Sequence, residues 1–247
     1  MIEANALIKR HDGREVLRGV SLRVDRGEVA VLIGPSGGGK STLLRCLNGL
    51  ERFDGGSVQV DGVRLVADDP ERRRAAVLSQ VRRRLGMVFQ GFNLFPHRTA
   101  LQNVTEAPIH VLRLPKAEAE DRAKALLDRV GLGDRLDAMP RQLSGGEQQR
   151  VAIARALAMG PDAILFDEPT SALDPRMTAE VLAVITDLAR DGQTMVVVTH
   201  AIRFARQVAK TVHVLDAGLI VESGPPAAVL DCPSNPATRR LLAEADR

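Results

Sequence analysis

Three near-continuous apolar runs constrain this chain more than anything else in it: residues 29–33 (VAVLI), 163–166 (AILF) and 194–199 (TMVVVT). A strand with water on one face alternates apolar and polar side chains, whereas an unbroken run is the pattern of a strand buried on both faces of a parallel sheet. Helical periodicity precedes the second and third runs, so βαβ connections and a mostly parallel sheet are the expected architecture. With 45% apolar residues the 247-residue chain can enclose a proper core. That core must be built from Leu, Val, Ile and Ala, because there are six Phe and no Trp or Tyr.

Other stretches follow different patterns. Val20, Leu22 and Val24 alternate with polar neighbours, and Val58, Val60, Val63 and Leu65 alternate around an Asp61-Gly62 hairpin signal, so the N-terminal part is expected to be antiparallel. In the middle, Ala119, Ala123, Leu126, Leu127 and Val130 share one helical face over residues 115–130, with Gly131 as the stop. A second helix is expected from Glu147 to about Met159. These helices are expected to form an insertion over residues 91–160 within a single domain of residues 1–247, whose α/β core and β subdomain occupy residues 1–90 and 161–247.

Cys46 and Cys232 match no metal or redox spacing and read as free thiols of a reducing compartment, the cytoplasm. No apolar leader opens the chain and no run reaches transmembrane length, so the chain is expected to stay in water. Net charge is +3, yet Arg72, Arg73, Arg74, Arg82, Arg83 and Arg84 crowd one span. Without interleaved aromatics, that span reads as a solvated helix face rather than a nucleic-acid patch.

Directly after the first buried run, Gly34, Pro35, Ser36, Gly37, Gly38, Gly39, Lys40 and Ser41 match G-x-x-x-x-G-K-[ST], and an apolar-patterned helix follows from Thr42. Glycines let the backbone wrap phosphate oxygens, so that amide N–H groups and a helix N-terminus converge on negative charge. Lys40 adds a cation for the β- and γ-phosphates, and Ser41 offers a hydroxyl to magnesium. The second buried run leads into Asp167 and Glu168, at the carboxyl end of the sheet where open α/β folds bind ligands. Asp167 is expected to hold magnesium through water and Glu168 to polarise the water that attacks the γ-phosphate. The third run leads into His200. Further along, Ser144 and Glu147 have capping-box spacing around Gly145 and Gly146, which leaves a glycine-lined helix N-terminus with free amides.

Taken together these residues resemble the ATP-binding cassette (ABC) family over essentially the whole chain and in its motif order. Residues 34–41 are similar to its Walker A loop, Gln90 to its Q-loop, residues 143–147 (LSGGE) to its signature, residues 164–168 to its Walker B strand, residues 171–174 to its D-loop and His200 to its switch histidine. The resemblance implies an α/β P-loop NTPase fold, RecA-like with a mostly parallel sheet, an N-terminal antiparallel β subdomain and an inserted α-helical subdomain. It implies Glu168, His200, Lys40 and Gln90 as catalytic groups, and Ser41, Gln90 and Asp167 as magnesium contacts. Nucleotide contacts would come from His11, residues 34–42, Ser144, Gly145, Gly146, Glu147 and Asp174. It further implies a head-to-tail pair, of two copies or with a homologous ATPase, in which Ser144 and Gly146 meet the γ-phosphate of the partner's ATP.

A finer resemblance, through "CLNGLE", "GMVFQGFNLFPHRTALQNV" and "VAIARALAMGPDAILFDEPTSALDP", is to ATPase subunits of polar amino-acid importers. This implies a permease docking near Gln90, Phe92, Leu94, Phe95 and Pro96, an extracytoplasmic solute-binding protein acting indirectly, and a peripheral place on the cytoplasmic face of the inner membrane. The same apolar cluster is equally explained by packing within the helical lobe. His11 stands where the family commonly has an aromatic ring against adenine, Glu147 where the signature has Gln, Ala201 where these importers carry Glu, and Lys210 where an acid is common. An exporter ATPase is the other transport reading, and a nucleic-acid-acting ABC ATPase is a reading of a different class. A GTPase or small-molecule kinase would share the phosphate loop but neither the signature nor the D-loop.

Overall fold

In the computed structural model, which describes residues 1–245, the chain opens with two long strands, β1 (Ile2–His11) and β2 (Arg14–Val24). They meet at Asp12-Gly13, where both residues have positive φ (48° and 79°), the geometry of a tight hairpin whose twist matches its strands. Next come the fully buried β3 (Val29–Ile33), α1 (Lys40–Leu47), and the pair β4 (Gly55–Val60) and β5 (Val63–Val66). The expected hairpin at Asp61-Gly62 is present, with φ of 45° and 83° and Val60 opposite Val63. The arginine-rich span is α2 (Glu71–Arg84), which leads straight into β6 (Leu85–Val88).

Three helices precede the next strand: α3 (Ala100–His110), α4 (Lys116–Arg129) and α5 (Gly145–Ala158). Helix α3 was not anticipated from the pattern. Its start is fixed by a capping box between Thr99 and Gln102, and it carries Pro108 internally. Then follow β7 (Ala163–Asp167), α6 (Pro175–Arg190), β8 (Thr194–Val198), α7 (Ile202–Val208), β9 (Thr211–Asp216), β10 (Leu219–Gly224) and α8 (Pro236–Ala245).

Two sheets result. The antiparallel one has the order β2-β1-β4-β5, and the six-stranded one the order β10-β9-β3-β8-β7-β6. In the latter β3 runs parallel to both β8 and β9, β7 runs parallel to β8 and β6, and only the edge strand β10 is antiparallel. The three apolar runs are therefore adjacent interior strands, in the order β3-β8-β7. The period-2 rule assigns their faces: Val31 and Ile33 join the apolar cluster of α4, α5, α6 and α7, while Ala30 and Leu32 join that of α1 and the antiparallel sheet.

Opposite the carboxyl ends of the strands, Arg26 and Arg84 each pair with both Asp61 and Asp162, at 2.8–3.6 Å, tying the β4–β5 turn to the start of β7. At the sheet edge Glu222 of β10 accepts from the amide and hydroxyl of Ser234, both at 2.7 Å, which fixes the segment leading into α8. Among the described residues no helix is long and apolar enough to cross a membrane.

One core group makes stability sensitive to pH. His213 on β9 is 5% exposed, its Nδ1 lies 2.8 Å from the Ser223 hydroxyl and its Nε2 has no hydrogen-bond partner. Burial pushes its pKa down from 6.5 to about 4. The unfolded chain therefore takes up a proton below about pH 6.5 while the folded chain resists doing so down to about pH 4, and stability falls as pH drops through that window. Between pH 7 and pH 5 this group should cost about 2 kcal/mol of unfolding free energy. His213→Gln should flatten that part of the urea-denaturation profile, and an unchanged slope would remove His213 as its source.

Candidate functional site

The phosphate loop leaves β3 through a contact that leaves no space for a side chain. A Cβ on Gly34 would lie 2.0 Å from the carbonyl oxygen of Leu215, at the end of the neighbouring strand β9. At the loop's other end Gly39, the N-cap of α1 with φ of 99°, would place a Cβ 2.9 Å from the carbonyl of Val16 on β2. The loop is thus held between the two sheets. A cleft of about 350 Å³ opens over it, lined by Val16, Ser36, Gly37, Gly39, Lys40, Ser41, Thr42 and Glu168.

Lys40 is 4% exposed, and its Nζ donates to the carbonyls of Gly34 and Pro35, each at 2.9 Å. Burial lowers its pKa, and the charges of Glu168 and Asp167 act in the opposite sense. The Lys40 Nζ lies 4.0 Å from Glu168 Oε1, so its third donor direction has an anion nearby and the cleft beyond. The Ser41 hydroxyl donates to Asp167 Oδ1 at 2.6 Å, and Arg45 stands 3.7 Å from the other oxygen of that carboxylate. A hydroxyl and a carboxylate held side by side form an all-oxygen donor set that suits a small hard cation completing its shell with phosphate oxygens and water.

Glu168 follows β7 with φ of 46°, an uncommon conformation for a residue with a side chain. It persists because the Glu168 N–H donates to Val198 O at 3.0 Å, while its carbonyl accepts from the Ser171 amide and hydroxyl at 3.3 and 3.1 Å. His200, just past β8, places Nε2 3.2 Å from Glu168 Oε1. Lys40, Glu168 and His200 therefore converge where the carboxyl ends of β3, β7 and β8 meet, with Ser41 and Asp167 alongside.

Other expected residues do not line that cleft. Gln90 is exposed, just beyond β6. His11 is half-exposed at the end of β1 and pairs with Glu51 at 2.5 Å; it does not line the cleft, whereas the unanticipated Val16 does. Asp174 uses its side chain to cap α6, accepting from the Met177 amide at 2.9 Å. Ser144 caps α5 in the expected capping box: its hydroxyl accepts from Glu147 N at 3.2 Å, and Glu147 Oε2 accepts from Ser144 N at 2.7 Å. None of Ser144, Gly145, Gly146 and Glu147 lines the cleft of the same chain. The Gly145 and Gly146 positions lie against α6 and the segment before it, with Leu173 and Met177 within 3.0 Å of where their Cβ atoms would be.

The segment after Gln90 is fastened by α3 and α5. Buried Asn103 accepts from Phe95 N at 2.7 Å and donates to the carbonyls of Phe95, Arg98 and Thr99. Gln149 donates to Phe89 O, and Arg155 to Phe92 O and Asn93 O. Leu94 packs on the core, whereas Phe95 is 42% exposed under the Arg155 guanidinium. Packing within the helical lobe therefore accounts for Leu94, whereas Phe95 stays largely on the surface.

Gly34→Ala should destabilise the fold by about 2–4 kcal/mol and abolish phosphate binding, because the clash is with backbone. Gly37→Ala, with φ of 77° but open space around it, should cost about 1 kcal/mol. Thermal melts of both variants check the contrast, and equal losses would remove the Leu215 contact as the cause.

The family described as ABC transporter matches residues 17–171. The arginine transport ATP-binding protein ArgV of Corynebacterium glutamicum is 51% identical, with 98% of this chain and 97% of that protein covered. The L-cystine import ATP-binding protein TcyC of Bacillus subtilis is 49% identical, with coverage of 98% and 97%. Among solved structures, the dimeric post-hydrolysis state of the ATP-binding cassette MJ0796 bound to ADP and Pi superposes with a TM-score of 0.80 at 36% identity, over 92% of this chain and 99% of that one.

Proposed function

This chain belongs to the ABC transporter family, and from that membership we propose that it is the ATP-hydrolysing subunit of an importer for polar amino acids, working in a pair on a membrane permease. The observation that carries the chemistry is the convergence of Lys40, Glu168 and His200 beside the Ser41–Asp167 pair, above a backbone cradle that no side chain obstructs.

Each residue has a defined task. Amides of residues 36–41 and the N-terminus of α1 receive the phosphates. Lys40 exchanges its contacts to the Gly34 and Pro35 carbonyls for β- and γ-phosphate oxygens, a charge-assisted interaction stronger than the one it replaces. Ser41 and Asp167, with Gln90, would hold magnesium, which offsets charge on the β- and γ-phosphate oxygens. Glu168 accepts a proton from the water that attacks the γ-phosphorus, the bond to the bridging oxygen breaks, and ADP and phosphate leave. His200, on Glu168 Oε1, orients that carboxylate and reaches the γ-phosphate.

The signature is the part a single chain cannot use, since it lies away from its own cleft. A head-to-tail pair brings Ser144, Gly145 and Gly146, with Asp174 nearby, to the partner's γ-phosphate, and closure then depends on contacts that exist only when triphosphate is present. His11, paired with Glu51 outside the phosphate cleft, would meet the adenine only beyond that cleft. Residues 91–160 form the helical lobe that carries the signature, set into the core of residues 1–90 and 161–247.

A groove of about 590 Å³ between α2 and α3, lined in part by Ala75, Leu78, Ala107, Val111 and Met159, supports permease docking there. The chain would then sit peripherally on the cytoplasmic face of the membrane. Relatives named for arginine and cystine transport support polar amino acids as the cargo.

Glu168→Gln should reduce turnover at least about 100-fold while retaining MgATP and accumulating a dimer by size-exclusion chromatography. Parental turnover in that variant would remove Glu168 as the base. Lys40→Ala should weaken ATP binding about 10- to 100-fold by fluorescence titration. The transport reading is tested by reconstituting the native complex in vesicles: a polar amino acid with its binding protein should stimulate hydrolysis and accumulate inside, and outward movement would overturn import.

A further inference from the structure

The signature helix begins with a charge that works against its proposed task. Glu147 occupies the third position of α5, side chain 18% exposed, with Oε2 turned back onto the Ser144 amide. A glutamine there would close the same capping box without charge. The carboxylate instead adds a full negative charge at the helix end that, in the paired reading, must receive a γ-phosphate. Like charges at such range repel, and the repulsion grows as closure excludes water.

The other oxygen of that carboxylate is occupied. Arg135 places Nε 3.4 Å from Glu147 Oε1, with Asp134 its only other ion-pair partner among the described residues, at 4.0 Å. Arg135 lies in the α4–α5 connection, which is well supported. Leu132 is buried, Arg135 N donates to Leu132 O, and the carbonyls of Leu136 and Ala138 accept from Leu101 N and Ala100 N at the start of α3. The guanidinium is therefore presented from a fixed loop, although its side chain is 49% exposed.

We propose that Arg135 is a positioning residue for ATP-driven pairing, holding the Glu147 carboxylate on the capping box and offsetting its charge so that the signature amides can receive the partner's γ-phosphate. This rests on the paired-subunit reading above. It assigns Arg135 no contact with the nucleotide; the residue acts through Glu147.

The test uses the full chain with Glu168→Gln, so that the closed dimer accumulates, and reads by light scattering the MgATP concentration giving half-maximal dimer. Arg135→Ala should raise that concentration about threefold, and Arg135→Lys should raise it less. With Glu147→Gln also present, Arg135→Ala should change it less than about 1.5-fold, because no charge remains to offset. MgATP binding to the dilute monomer, which uses only the chain's own phosphate loop, should be unaffected. A general loss of folding would not be suppressed by Glu147→Gln, so that suppression separates positioning from simple stability. An unchanged half-maximal concentration in Arg135→Ala, or an equal rise with and without Glu147→Gln, overturns the proposal. If the Glu168→Gln parent itself stays monomeric at saturating MgATP, the paired-subunit reading falls and takes this inference with it. A dimerising parent with an inert Arg135 removes the inference alone.

Discussion

The phosphate loop owes its shape to two backbone carbonyls that do not belong to it. Leu215 O closes on Gly34 and Gly38 from the end of β9, and Val16 O closes on Gly39 from β2. The register of the six-stranded sheet sets the first contact, since Ile33 pairs with Val214, and the placement of the antiparallel sheet sets the second. Arg18 N donates to Gly218 O at 2.9 Å, so the β9–β10 turn is fastened directly to β2. A loop whose only apolar side chain is Pro35 becomes rigid because both sheets end against it. Only then are its amides aimed before any ligand arrives, which is the condition for electrostatic preorganisation.

Around that rigid cradle sit groups that are costly to keep. Lys40 is a buried cation, and its charge is tolerated through two carbonyls and a neighbouring carboxylate. Glu168 holds an unfavourable backbone conformation, fixed by Val198 on one side and Ser171 on the other. Both costs fall at the carboxyl end of the sheet, while the opposite end carries the well-matched Arg26, Arg84, Asp61 and Asp162 network.

Much of this could be read from the chain alone, for reasons that differ by element. Strands β3, β7 and β8 are interior strands buried on both faces, so all their positions except Asp167 and Thr194 at the ends are apolar and composition exposes them. The Asp61-Gly62 turn and the Ser144–Glu147 capping box are local geometries written in adjacent residues. Helix α5 was expected to start at Glu147 and begins at Gly145, since the cap itself belongs to the helix end. Strands β6 and β9 were less visible: β6 is four residues long and contains Gly86, and β9 carries Thr211 and His213 among its apolar positions. Helix α3 hides behind Pro108, which normally argues against a helix interior. The site shows the same division. Its spacing motifs were legible, whereas Val16 in the cleft, the His11–Glu51 pair and the Arg135–Glu147 pair depend on segments distant in sequence, and no local pattern encodes them.

Helix α5 also fastens the segment after β6 in an informative way. Gln149 and Arg155 reach carbonyl oxygens of Phe89, Phe92 and Asn93, never their side chains. Every residue type has the same carbonyl, so such a joint survives substitution of nearly anything in the segment it grips. The grip on residues 89–93 is thereby indifferent to side-chain type, and what identity still decides in this segment falls to Leu94, packed on the core, and Phe95, under the Arg155 guanidinium.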